Sequence, residues 1–337
     1  MVAVSGIGSW PGVDSRNTIR MVRDLFLDAA HDGLSALPYL PELPSRGPGA
    51  DMIGRTSNIL VDLPVDVQPQ GWRMVDHPGR DAERASSFWR QDLDELAEAY
   101  DGYRGELKLQ VVGPWTLAAN VWLPLGDKVL SDIGASRDLG ESLAEGVAEH
   151  LRRVKRLIPG ASLVLQIDEP SLAAVVRGRV RTESGYSVIP APDAAAAAHV
   201  LAGLVKQAER EGAVSTVIHS CASESPIGVL RDSGASALAL DTASLGLAGW
   251  DAVAEAFEAG TNFYAGVFQP SHLPSHYSQA HDALASRWRE IGLTTKDLQR
   301  VTVTPACGLA GVSEAQAREA TRRSIEVATA LLETSQR

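Results

Sequence analysis

Eight short apolar runs rich in β-branched residues alternate with long amphipathic stretches along the 337 residues, and most of the runs have a polar or cysteine residue at or just past their ends. Such alternation predicts an α/β chain with a mainly parallel sheet. A count of about eight strands predicts closure into a (β/α)8 TIM barrel. The expectation is a single barrel domain over residues 1–337, with extended loops at its C-terminal rim.

The expected strands, in order, are Val2–Gly8, Gly33–Pro38, Leu107–Val112, Ser162–Asp168, Val214–Ser220, Ala237–Asp241, Asn262–Val267 and Val301–Pro305. Helical periodicity is clearest in Arg16–His31, Asp81–Tyr103, Ser136–Leu157, Asp193–Glu211, Trp250–Ala259 and Ser313–Glu333. Ser313 with Gln316 three residues on has the form of a capping box. Two segments, Leu40–Pro78 and Pro170–Pro192, exceed simple barrel connections and are expected to build the active-site mouth. A Rossmann alternative rests on Gly6-Ile7-Gly8-Ser9-Trp10-Pro11-Gly12. The last spacing is wrong for it, and Trp10-Pro11 crowds the turn where backbone must approach a pyrophosphate.

Composition narrows the function. The chain is 45% apolar and 22% charged, as a globular enzyme is. A formal charge of −11 without a broad basic stripe excludes nucleic acid and anionic membrane as partners. Arg152, Arg153, Lys155 and Arg156 read as the solvated face of a helix. No apolar run approaches the ~20 residues of a membrane span. Met1-Val2-Ala3-Val4 enters a strand pattern with no signal-like segment, so a cytoplasmic location is expected. Two cysteines in a chain this long do not make a secreted disulfide framework.

In a parallel barrel all strand C-termini share one rim, so residues far apart in sequence converge there. Here those ends carry Ser9, Asp168, Glu169, His219, Cys221, Asp241, Gln269, His272 and Cys307. His219 and Cys221, two apart, point to the same side of a regular strand. Two thiols, an imidazole and a carboxylate are a donor set that Zn2+ accepts. His219, Cys221, Asp241 and Cys307 are therefore the expected metal ligands; the bland alternative for each cysteine is an inert buried thiol. Asp168-Glu169-Pro170 places two acids where a buried strand breaks. One could face a substrate ammonium; the alternative is a loop-capping Asp beside a solvated Glu. Trp115 could stack on a flat ligand or pack against the insertion. His272 and His276 stand as acid/base groups or as surface histidines.

With these motifs in place, the chain resembles the C-terminal, catalytic barrel of cobalamin-independent methionine synthase. The resemblance is carried by Ile7-Gly8-Ser9-Trp10-Pro11, Gly113-Pro114-Trp115-Thr116, Gln166-Ile167-Asp168-Glu169-Pro170, His219-Ser220-Cys221 and Pro305-Ala306-Cys307-Gly308-Leu309, in family order. It implies His219, Cys221 and Cys307 as zinc ligands. It implies Ile7, Ser9, Glu42 and Asp168 as the residues that hold the amino-acid part of homocysteine, with Asp168 facing the ammonium. Four departures stand out. Asp241 takes the place of a glutamate ligand, and Gln269 that of the catalytic histidine, leaving His272 as the candidate substitute. Asn120 aligns with a folate-stacking tryptophan, and the family's N-terminal barrel is not part of the sequence.

The expected function is zinc-dependent methyl transfer to a small-molecule thiol such as homocysteine, forming methionine or a related thioether. The methyl donor is left open between methyltetrahydrofolate and a methyl-corrinoid protein. Two other classes remain: a non-catalytic zinc- or ligand-binding relative, and a metal-independent barrel of the decarboxylase kind.

Overall fold

A computed structural model describes residues 1–30 and 33–337. Ten strands are present: β1 (Ala3–Ser5), β2 (Ser35–Leu37), β3 (Val65–Gln68), β4 (Gly71–Met74), β5 (Glu106–Val112), β6 (Ser162–Asp168), β7 (Ser215–Ser220), β8 (Ala237–Asp241), β9 (Asn262–Gly266) and β10 (Val301–Thr304). Eight of them form one parallel sheet in the order β2-β1-β10-β9-β8-β7-β6-β5. Its two edges meet just past β2. Lys108 N donates to Pro38 O at 2.9 Å and Leu40 N to Lys108 O at 3.0 Å, with Tyr39 bridged to Lys108. The sheet is thus a nearly closed barrel with helices around it, as the sequence predicts.

Each expected strand is found: Ser162–Asp168 and Ala237–Asp241 with the expected bounds, Glu106–Val112 one residue longer, and the others trimmed by one to four residues. The helix expected to reach His31 runs over Ser15–Ala29; His31 lies outside the described residues. The Ser313–Gln316 capping box is formed, so Ser313 is the cap of Glu314–Ser335 rather than its first residue. Pattern reading missed the β3–β4 hairpin inside the Leu40–Pro78 insertion, and also the helix Tyr277–Glu290. Among the described residues, no helix is long and apolar enough to cross a membrane.

What positions a site is the change of character along the barrel's inner face. Side chains on a strand alternate between faces, so Val164, Gln166 and Asp168 of β6 share the interior with Val217 and His219 of β7. Deep in the barrel, Leu37, Val164, Val217, Ala237, Ala239 and Tyr264 form a small apolar cluster of their own. One turn of the pleat higher, the inward residues become Lys108, Gln110, Gln166, Asp168 and His219, all buried. Outward residues such as Leu163, Leu165 and Ile167 stay apolar and join the main core under the helices. Stability is thereby built from the lower layer and the helix shell, and polar groups gather at the C-terminal end.

Candidate metal and substrate site

A cavity of about 490 Å3 opens at that end. Its walls include Ile7, Ser9, Glu42, Asp168, His219, Cys221 and Cys307, so residues separated by up to three hundred positions meet there as expected. Gly308 lets the loop after β10 approach: a Cβ there would collide with Ser9 Oγ. Leu309 N donates to Ser9 O at 2.9 Å, which fixes that approach.

The two sulfurs of Cys221 and Cys307 lie 3.9 Å apart, in hydrogen-bond contact. Both thiols are free and half-buried. Contact with Cys221 and the charge of His219 lower the Cys307 thiol to about 6, whereas contact with Cys307 and burial raise that of Cys221.

Behind them runs a chain of buried polar contacts. Lys108 Nζ donates to Ile7 O at 2.8 Å and to Gln166 Oε1 at 2.6 Å. That fixes the orientation of the Gln166 amide, whose Nε2 donates to Ile7 O at 2.7 Å and to Asp168 Oδ1 at 2.8 Å. The same Asp168 oxygen stands 2.8 Å from His219 Nδ1. An ionised carboxylate only accepts, so Nδ1 carries a hydrogen; Nε2 stands 3.4 Å from Ala306 O. Burial alone would lower the imidazole, but the hydrogen bond and charge of Asp168 outweigh it, and the ring is raised. Burial lowers Lys108 to about 7, against the pull of Asp168 and Glu42. A lysine facing inward in an otherwise apolar strand, and a glutamine two residues before Asp168, were the sequence signals of this chain; neither was read.

Four expected site residues lie elsewhere. Glu169 is fully buried; its carboxylate accepts from Trp115 N at 3.0 Å, Thr116 N at 2.8 Å and Thr116 Oγ1 at 2.7 Å. It thereby caps the helix Pro114–Asn120 and is not in the cavity wall. Trp115 is packed, with Nε1 donating to Ala197 O at 3.0 Å. Asp241, outside the cavity wall, accepts at Oδ2 from Gln269 Nε2 at 2.7 Å and at Oδ1 from Ala243 N at 3.0 Å. His272 is exposed, with Nδ1 2.8 Å from Ser271 Oγ.

Among the described residues, no three His, Cys, Asp or Glu side chains are already gathered as a metal-holding group. The donor chemistry of the cavity wall nevertheless fits zinc. Two thiolates at ~2.3 Å from one zinc ion, at a tetrahedral angle, stand roughly 3.8 Å apart. The observed sulfur separation of 3.9 Å matches that spacing. A histidine whose far nitrogen is braced by a carboxylate is the usual form of a zinc-ligating imidazole.

Comparison with known proteins agrees with this architecture. Residues 2–330 match the family described as "Cobalamin-independent synthase, Catalytic domain". A B12-independent methionine synthase from Shewanella sp. W3-18-1, solved in complex with selenomethionine, superposes with a TM-score of 0.61 at 10% identity. The match covers 98% of this chain and 97% of that one. A methyltransferase from Methanosarcina mazei gives 0.54 at 13% identity, covering 98% and 93%. At these identities the two structures speak to the fold alone. No curated protein sequence matches the chain. The family match spans nearly every described element, and on it the chain belongs to the cobalamin-independent synthase catalytic-domain family.

Proposed function

We propose that this protein is a zinc-dependent methyltransferase that moves a methyl group to the thiol of a small amino acid such as homocysteine, forming methionine or a related thioether. The observation that carries the reading is the pairing of Cys221 and Cys307 at 3.9 Å beside His219, in a cavity that also holds two buried carboxylates. His219 Nε2, Cys221 and Cys307 would hold the metal, and zinc when bound supplies the positive charge that keeps a substrate thiol ionised near neutral pH.

The rest is work for the chain itself. Asp168, its Oδ1 engaged by Gln166 and His219, has Oδ2 left to meet a substrate ammonium. Glu42 offers a second carboxylate in the same cavity. Ser9 Oγ, held loosely by Ala310 N at 3.4 Å, has its hydrogen free for the substrate carboxylate. An amino acid gripped at both charged groups presents its sulfur in one direction, and such positioning supplies much of a displacement's acceleration. The sulfur attacks the methyl carbon in line. The S–C bond forms as the bond to the donor breaks, and the bonding pair leaves with the donor.

Methyltetrahydrofolate would need a proton on its leaving nitrogen. Where the family resemblance implies a catalytic histidine, this chain has Gln269, tied to Asp241. That favours a donor whose leaving group needs no proton, such as the cobalt of a methyl-corrinoid protein. The test is methionine formation from homocysteine with each donor in turn, using zinc-loaded and chelator-stripped protein. Product from the loaded protein alone supports the proposal; no metal-dependent binding of homocysteine by calorimetry would leave only a scaffold or a metal-free reaction.

A further inference from the structure

Glu42 is the least supported charge in the cavity. Its backbone is anchored, with N donating to Gly8 O at 3.1 Å and O accepting from Trp10 N at 2.8 Å. Its carboxylate is 9% exposed, yet among the described residues no hydrogen-bond donor engages it. The nearest cation is Arg55, whose Nε lies 3.4 Å from Glu42 Oε1.

Arg55 belongs to a buried cluster that lies outside the cavity wall. Its Nη1 is 2.5 Å from Asp92 Oδ2, and Arg46 grips the same carboxylate with two bonds of 2.8 and 2.7 Å. The guanidinium of Arg55 rests 4.4 Å above the Trp89 ring, and that of Arg46 4.7 Å above Phe88. The helix Met52–Ser57 that carries Arg55 is fastened to the barrel, because Thr56 Oγ1 accepts from Val112 N at 2.9 Å. Two cations thus share one anion, with side-chain exposures of 6%, 3% and 0% for Arg46, Arg55 and Asp92. Buried charges persist when they are paired. The excess positive charge in this cluster is answered by Glu42. The Nε of Arg55, buried and without a hydrogen-bond partner, sits at the junction.

We infer that Arg55, held by Asp92 and stacked on Trp89, is a positioning residue that fixes the place and the charge of Glu42 in the substrate cavity. The inference deepens the proposed function, resting on the reading that Glu42 faces a substrate ammonium. The cluster acts through Glu42 alone: Arg46 and Asp92 hold Arg55 where it must stand. Four charged groups bear on Glu42: Arg55 on the insertion helix, Lys108 on β5, Asp168 on β6 and Asp92 on the helix Arg80–Ala99. Arg55 and Lys108 favour its anion, and the two aspartates oppose it.

The experiment is an NMR pH titration of side-chain carboxyl carbons in the full chain carrying 13C-labelled glutamate, with Glu42 assigned by Glu42→Gln. Removing the cation in Arg55→Met is expected to move the Glu42 midpoint up by about one pH unit or more. Removing the competing anion in Asp92→Asn is expected to move it down. If Arg55→Met does not fold, Arg55→Lys decides, since one ammonium cannot serve Asp92 and Glu42 together and the midpoint again rises. A Glu42 midpoint indifferent to the folded Arg55 variant overturns the inference. Homocysteine calorimetry on the same samples separates the two layers. A wild-type protein that binds no homocysteine, with a midpoint that still follows Arg55, removes the functional reading and keeps the positioning role. Homocysteine affinity that falls about tenfold in Arg55→Met, together with the raised midpoint, supports both.

Discussion

Asp168 and His219 face each other in register on neighbouring parallel strands, with Oδ1 and Nδ1 2.8 Å apart. The contact joins the proposed substrate end of the cavity to its proposed metal end. The aspartate that would meet the ammonium also decides which nitrogen of the histidine carries the hydrogen. Asp168→Asn is expected to lower zinc affinity about 10- to 100-fold, in line with loss of a carboxylate behind a ligating histidine. Competition with a chromophoric chelator measures it, and an unchanged affinity would detach Asp168 from the metal.

Glu169 provides a stability test with a defined sign. Burial raises its carboxyl from 4.5 to about 7, against the three donors of Trp115 and Thr116. A raised acid contributes stability that is fully present below the unfolded value and is lost as pH rises through the folded one. The urea midpoint of the wild type, compared with that of Glu169→Gln, is therefore expected to fall more steeply between pH 4.5 and about 7. Glu169→Ala, which strips the cap from Pro114–Asn120 and leaves buried donors unpaired, is expected to cost about 2–4 kcal/mol near pH 4.5 and less as pH rises toward 7. A loss below about 1 kcal/mol at the acid end of that range would show that water replaces the carboxylate.

Asp241 is bound to Gln269, and its two oxygens are both engaged. Asp241→Ala is expected to retain most of its zinc, whereas substitution at either cysteine is not. Gln269→His tests the other half of this pair by restoring a titratable group. It is expected to raise turnover with methyltetrahydrofolate relative to a corrinoid donor; equal ratios for the two proteins would remove Gln269 from the choice of donor.

His272 is exposed, and among the described residues its ring is hydrogen-bonded only to its neighbour Ser271. His272→Ala is expected to leave methyl transfer within about twofold of wild type, the range of a surface substitution. A loss of a hundredfold or more would show that the loop after β9 closes over the cavity during reaction.

The barrel was legible because strands buried on both faces are mostly apolar, and many carry a polar residue at or just past their C-terminal end. The same marking brought Ser9, Asp168, His219, Cys221 and Cys307 to the cavity. It could not tell rim from cap: Glu169 follows its strand as directly as Asp168 ends it, yet binds two backbone N–H groups at the start of the helix after the neighbouring strand β5. Asp241 is expected among the metal ligands, and in the structure its oxygens accept from Gln269 and Ala243. Its commitment to Gln269 depends on a loop conformation that no local pattern encodes. Lys108 and Arg55 escaped for a related reason. Each is a cation whose partners lie tens of residues away, and only the closed barrel with its folded insertion brings them within reach.

The most direct measurement is the zinc content of the protein after dialysis against zinc-buffered solution, for the wild type and for Cys307→Ser. With the barrel layers of the fold untouched, circular dichroism of the variant should match the wild type. The account predicts about one zinc per wild-type chain, from a single tetrahedral donor set, and loss of most of it in Cys307→Ser. Equal zinc in the two proteins, or none in the wild type, would contradict it.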